Sequence, residues 1–182
     1  GRHPRFPPSA LSQGADAVVQ STHKMLPALT MGAMLHLRGG RIDGRRVEAY
    51  LRMLQSSSPS YPIMMSLDLA RAALDEQGAA MFEAALDAVD RWREELPRRT
   101  EGRFVSPPAD DPFKLLLRDA AGVWSGFELL ELLAERGIYA EMAELRHVVL
   151  AASGATRRRD LEAVLAALEQ ILNGNRAEKQ EN

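Results

Sequence analysis

The chain has 182 residues, 46% hydrophobic and 26% charged, with a formal charge of −2 from 23 Lys and Arg against 25 Asp and Glu. That composition is globular, and the near balance of charge gives no basic excess to recruit nucleic acid and no acidic tail. Cysteine is absent, which excludes disulfide scaffolds, thiolate metal sites and cysteine nucleophiles, and no apolar run is long enough to span a bilayer.

Residues 1–5 lead into no apolar h-region and do not read as a signal peptide, so the expected location is cytoplasmic. Phe6-Pro7-Pro8-Ser9 makes a turn-rich entry. After Gly14, Ala17-Val18-Val19-Gln20-Ser21 is β-prone with no helical period and predicts a buried strand. Residues 31–37 predict a second strand, with His36 as a satisfied core residue. Arg38-Gly39-Gly40-Arg41 closes it as a turn; such triplets also occur in RNA-binding segments, but one copy beside a strand reads as a turn.

Helices dominate next. Val47, Tyr50, Leu51 and Leu54 fall on one helical face. Residues 55–60 are a polar loop, and residues 61–77 predict a second helix with Met64, Leu67 and Leu74 on its apolar side. Phe82, Leu86 and Val89 mark a third, which Pro97 is expected to stop. Residues 97–112 carry four prolines among charged residues, a composition shift that predicts a linker.

The remainder reads β-α-β-α. Residues 113–117 predict a strand. Ser125-Gly126-Phe127-Glu128 is a capping box opening a Leu-rich helix, and Gly137 suits its left-handed end. Residues 147–151 predict a strand, and Leu161, Val164, Leu165, Leu168, Ile171 and Leu172 an amphipathic helix ended by Gly174. Residues 175–182 read as a disordered tail.

The sharpest chemical feature is Ser21-Thr22-His23-Lys24 at a strand end. Hydroxyls there can donate to phosphate oxygens, and a partly desolvated lysine can form a Schiff base. Ligands of open α/β sheets lie beyond the carboxyl ends of strands, where Lys24 is expected in a loop facing a cleft. By spacing alone the tetrapeptide reads as a surface turn rather than a site. His3, His36 and His147 lack metal-ligand spacing, so no metal is expected. Arg157-Arg158-Arg159 reads as a solvated face at a helix start.

The longer segment Gly14-Ala15-Asp16-Ala17-Val18-Val19-Gln20-Ser21-Thr22-His23-Lys24-Met25-Leu26-Pro27-Ala28-Leu29-Thr30 resembles the cofactor-lysine segment of the Orn/Lys/Arg decarboxylases. Three further stretches match that family in order: Gln55-Ser56-Ser57-Ser58-Pro59-Ser60-Tyr61-Pro62 with Ser66-Leu67-Asp68-Leu69-Ala70-Arg71, then Asp111-Pro112-Phe113-Lys114-Leu115, then Gly137-Ile138-Tyr139-Ala140-Glu141-Met142. The resemblance implies an α/β protein: part of a pyridoxal-phosphate-dependent transferase large domain of fold type I, then a small α+β C-terminal subdomain. The boundaries expected are 1–96 for the large-domain part, 97–112 for the linker, 113–174 for the small domain and 175–182 for the tail.

The resemblance implies pyridoxal 5′-phosphate as cofactor and Lys24 as the residue that holds it. It implies Ser21 as phosphate donor and His23 as a neighbour of the cofactor, either a catalytic proton donor or a phosphate contact. Ser57 and Ser58 match a loop that, in such dimers, approaches the other subunit's cofactor; by residue type they equally read as a capping loop. The substrate implied is arginine, lysine or ornithine, and the assembly a homodimer or higher homo-oligomer, with no nucleic acid or membrane partner.

The family's ring-nitrogen aspartate and its ring-stacking residue lie upstream of the lysine segment, and Asp16 is not that aspartate. The expectation is therefore the C-terminal part of a longer enzyme, inactive by itself. Two alternatives stand beside it: a non-catalytic remnant or dimerisation fragment, and another fold type I enzyme such as an aminotransferase or aldolase. For an aminotransferase, Arg118, Arg136 and Arg146 are the candidates for a substrate carboxylate.

Overall fold

The computed structural model describes residues 3–181, with side chains through residue 174. The chain divides into two compact units, residues 1–81 and 82–182.

In the first unit, β1 (Ala17–Gln20) leads directly into a single helical turn, α1 (Thr22–Met25). β2 (Met34–Leu37) returns antiparallel to β1, with Ala17 opposite Leu37 and Gln20 opposite Met34. The expected burial of β1 does not hold: Val19 is 74% exposed. A two-stranded ribbon has no neighbouring strands to enclose it. His36 on β2 is likewise half-buried rather than in a core, and its ring pairs with Gln20 Oε1 at 2.9 Å.

Two helices complete this unit. α2 (Gly44–Leu54) is capped by Asp43, whose carboxylate accepts from the Arg45 amide at 2.9 Å. α3 (Tyr61–Gln77) starts where the periodicity places it, with Ser60 as cap and Pro62 in its first turn. Gly78, at a φ of 56°, ends it in the left-handed region.

The second unit begins within the first turn of α4 (Ala80–Arg99). Pro97 does not stop this helix. It lies in the last turn, where its missing amide costs one bond, and the Thr100 amide still closes on the Leu96 carbonyl at 3.1 Å. β3 (Phe104–Val105), β4 (Lys114–Asp119), α5 (Gly126–Ala134), β5 (Met142–Ala143), β6 (Val148–Ala151) and α6 (Arg158–Glu181) follow. The strands form one antiparallel sheet in the order β3-β4-β6-β5.

Alternation along β4 turns Leu115, Leu117 and Asp119 inward. They join Leu86, Val89, Trp92 and Leu96 of α4, Leu129 and Leu133 of α5, and Leu165 and Leu168 of α6 in a common buried set. The capping box at Ser125 and Glu128 is formed, and Gly137 has a φ of 75°. β3 and β5 are two residues each, too short to show a period in sequence.

Two boundaries differ from expectation. The Pro-rich 97–112 stretch lies inside the second unit, because Phe104 within it is fully buried and stacks on Trp124 at 5.8 Å. Gly174 does not end the last helix, which runs to Glu181; Asn182 lies outside the described residues. A glycine in an exposed turn weakens a helix without breaking it.

Candidate functional site

The Ser21-Thr22-His23-Lys24 segment sits where β1 gives way to α1. The Lys24 amide closes on the Ser21 carbonyl at 3.1 Å and the Leu26 amide on the Thr22 carbonyl at 2.9 Å. Lys24 is therefore in a helical turn, not in the loop expected from sequence. One turn cannot present four consecutive side chains to one side. Thr22, Met25 and Leu26, spaced i, i+3 and i+4, line a cleft of about 490 Å³; His23 and Lys24 do not. Lys24 is solvent-exposed and His23 is half-buried.

The cleft lies wholly within the first unit. Ser21, Gln20, Met34 and His36 line it from the strand side, and Arg71, Leu74 and Asp75 from α3. Arg71 donates to Asp68 at 2.9 Å and to Asp75 at 2.7 Å. The Asp68 carboxylate first, then Asp75, holds the Arg71 guanidinium still more firmly protonated than usual.

The turn's placement depends on its following loop. The His23 amide donates to the Gly32 carbonyl at 3.1 Å. A Cβ at Gly32 would lie 2.9 Å from the Leu29 carbonyl oxygen and 3.0 Å from Leu67 Cδ2, so only glycine fits there. The Leu29 amide donates to Ser66 Oγ at 3.0 Å, and Ser66 Oγ donates to the Ile63 carbonyl at 2.8 Å. Through these bonds α3 fixes the loop that carries the lysine turn.

Ser21 is the cap residue of α1, yet its hydroxyl makes no capping bond. Among the described residues, no hydrogen bond or ion pair engages the Ser21 hydroxyl, the His23 ring or the Lys24 amine. All three polar groups are thus unengaged, although of the three only Ser21 lines the cleft. A hydroxyl donor, an imidazole and a primary amine are a donor set that fits pyridoxal phosphate: a phosphate contact and an amine for its aldehyde carbon. Ser57 and Ser58 are exposed on the loop between α2 and α3, where the Ser58 amide donates to Ser56 Oγ at 3.1 Å. Neither serine lines the cleft, so the structure does not bring them to it.

Sequence reasoning missed Thr22, Arg71 and Asp75 as cleft residues. The i, i+3, i+4 spacing of Thr22, Met25 and Leu26 was the available signal. Nothing local announces Arg71, which arrives from another helix. No helix among the described residues is long and apolar enough to cross a membrane.

Comparison with known proteins gives a consistent result. The pattern of the Orn/Lys/Arg decarboxylase major domain matches residues 9–131. An uncharacterized protein of Bacillus subtilis, YaaO, is 42% identical over 91% of this chain and 36% of its own length. The arginine decarboxylase of the same organism is 28% identical over 93% of this chain and 36% of its own length. Among solved structures, the constitutive lysine decarboxylase of Escherichia coli superposes with a TM-score of 0.74 at 20% identity, over 86% of this chain and 28% of that one. The chain thus spans little more than a third of the length of these curated relatives.

Proposed function

The chain belongs to the Orn/Lys/Arg decarboxylase family and carries part of its fold type I architecture, and we propose that it is part of a pyridoxal-phosphate-dependent decarboxylase of basic amino acids. The observation that carries this reading is the unengaged Ser21, His23 and Lys24 on the turn after β1, held in place through Gly32 and Ser66. Support for the reaction comes from the relatives, which bear the names of arginine and lysine decarboxylases.

In this reading Lys24 holds the cofactor through its side-chain amine, and Ser21 donates to the phosphate. His23, adjoining the lysine, either contacts the phosphate or returns a proton to the substrate α-carbon. Pyridoxal phosphate, when bound, supplies an electron-withdrawing ring that accepts the electron pair left as CO2 departs. Ser57 and Ser58, exposed and away from the cleft, serve the cofactor of a second subunit in a homodimer. The product is the amine corresponding to arginine, lysine or ornithine, as in polyamine-type metabolism, and the setting is cytoplasmic.

The test is CO2 release by the full-length parent from arginine, lysine and ornithine, with Lys24→Ala alongside. We expect turnover of at least one substrate, lowered by orders of magnitude in Lys24→Ala together with loss of the bound cofactor's visible absorbance. Arg157→Ala, at the exposed position just before α6, should leave both unchanged. Transamination without CO2 release, or a Lys24→Ala enzyme that retains its absorbance, would refute the assignment.

A further inference from the structure

A second recess, of about 510 Å³, lies wholly within the second unit, between the end of β4, the loop to α5 and the β5–β6 turn. Its walls are fixed by unusual means. Asp119, whose side chain is fully buried, accepts from the amides of Ala121 at 2.9 Å, Val123 at 2.7 Å and Trp124 at 3.0 Å. Arg103 grips the same carboxylate with two nitrogens and lies over the Trp124 ring, 4.7 Å from its centroid. Across the recess, the 144–147 turn packs so closely on Gly126 that any Cβ there would run into the carbonyl oxygens of Glu144 and His147.

Two cations line this rigid recess from separate elements: Arg118 from β4 and Arg146 from the β5–β6 turn. Neither has a carboxylate partner among the described residues. The two acids in the recess are already committed. Asp119 serves Arg103 and the three amides, and Glu128 accepts from the Ser125 amide and hydroxyl, each at 2.7 Å. Two guanidiniums lining one recess give it a positive potential that favours an anion, and no side chain there is free to supply the counter-charge.

We infer that Arg118 and Arg146 form a binding site for a small oxyanion, a carboxylate or phosphate group carried by a small molecule. The planar fork of arginine matches either group in two-point contact. This inference stands on the second unit alone and does not depend on the decarboxylase reading.

The test is a titration of the 182-residue chain with inorganic phosphate and with acetate, followed by amide shifts in nuclear magnetic resonance. Saturable shifts are expected at Trp124, Ser125 and Arg146. R118Q and R146Q should each weaken binding by about tenfold or more, the loss of a charge-assisted two-point contact, and R157Q should not. Saturation by phosphate alone identifies a phosphorylated ligand; comparable saturation by acetate identifies a carboxylate. Because Arg146 is exposed in a turn, R146Q decides the matter even if R118Q fails to fold. Absence of saturable shifts with both anions overturns the inference. So do shifts that R146Q leaves unchanged, or shifts confined to residues 21–24.

Discussion

Asp119 shows how one side chain organises its surroundings. Burial pushes its carboxyl upward, but the Arg103 guanidinium and three amide donors outweigh that and hold it below the usual carboxylate range. A lowered folded-state value means the stabilisation is fully present above the unfolded value of about 4 and is lost as pH falls through the folded one. Asp119→Asn should therefore lower stability by about 2 to 3 kcal/mol at pH 7, because it leaves Arg103 with no carboxylate. Urea denaturation of both proteins at pH 7 and pH 3 checks this, with the gap expected to narrow at the lower pH. A gap independent of pH would assign the effect to packing.

The helices behave according to how much of their surface is engaged. Four residues of α4 with side chains at helical spacing, Leu86, Val89, Trp92 and Leu96, are buried, and that packing carries the helix past Pro97. Arg99 at its end bonds Glu169 at 2.7 Å and also pairs with Glu162, tying α4 to α6. These carboxylates, Glu169 first, hold the Arg99 guanidinium more firmly protonated than usual. On α6, Gly174 is exposed and a Cβ there meets nothing within 4 Å. Gly174→Ala should raise stability by about 0.5 to 1 kcal/mol, since alanine loses less backbone entropy in a helix. Circular dichroism at 222 nm and the thermal midpoint report this; an unchanged midpoint would mean the last turns melt independently.

The two units differ in how they are held together. Among the described residues, Ala70 is the single buried hydrophobic of the first unit, and all the others belong to the second. Val19, Met31, Met53, Leu54, Tyr61 and Met65 in the first unit are each more than 60% exposed. Hydrophobic burial is the main favourable term in folding, so the second unit should be self-sufficient and the first should not. A fragment of residues 80–182 should unfold cooperatively in urea, whereas residues 1–79 should bind a hydrophobic dye and unfold without a sharp transition. Cooperative unfolding of the 1–79 fragment would count against this division of stability.

Sequence alone determined what depends on local chemistry. The 61–77 helix, the Ser125 capping box and the left-handed Gly137 each follow from residues within a turn of one another. The ordered motifs around Lys24, Ser57 and Lys114, all within the matched residues 9–131, likewise placed the chain in its family. Tertiary structure decided what depends on distant partners. It kept α4 helical through Pro97, drew Phe104 out of an apparent linker into a core, and left β1 exposed. It also turned Thr22 toward the cleft while His23 and Lys24 do not line it, and brought Arg118 and Arg146 to one recess. A capping box is satisfied by atoms three residues apart, whereas burial and charge pairing are settled only when remote segments meet, and no periodicity in the chain encodes which segments those are.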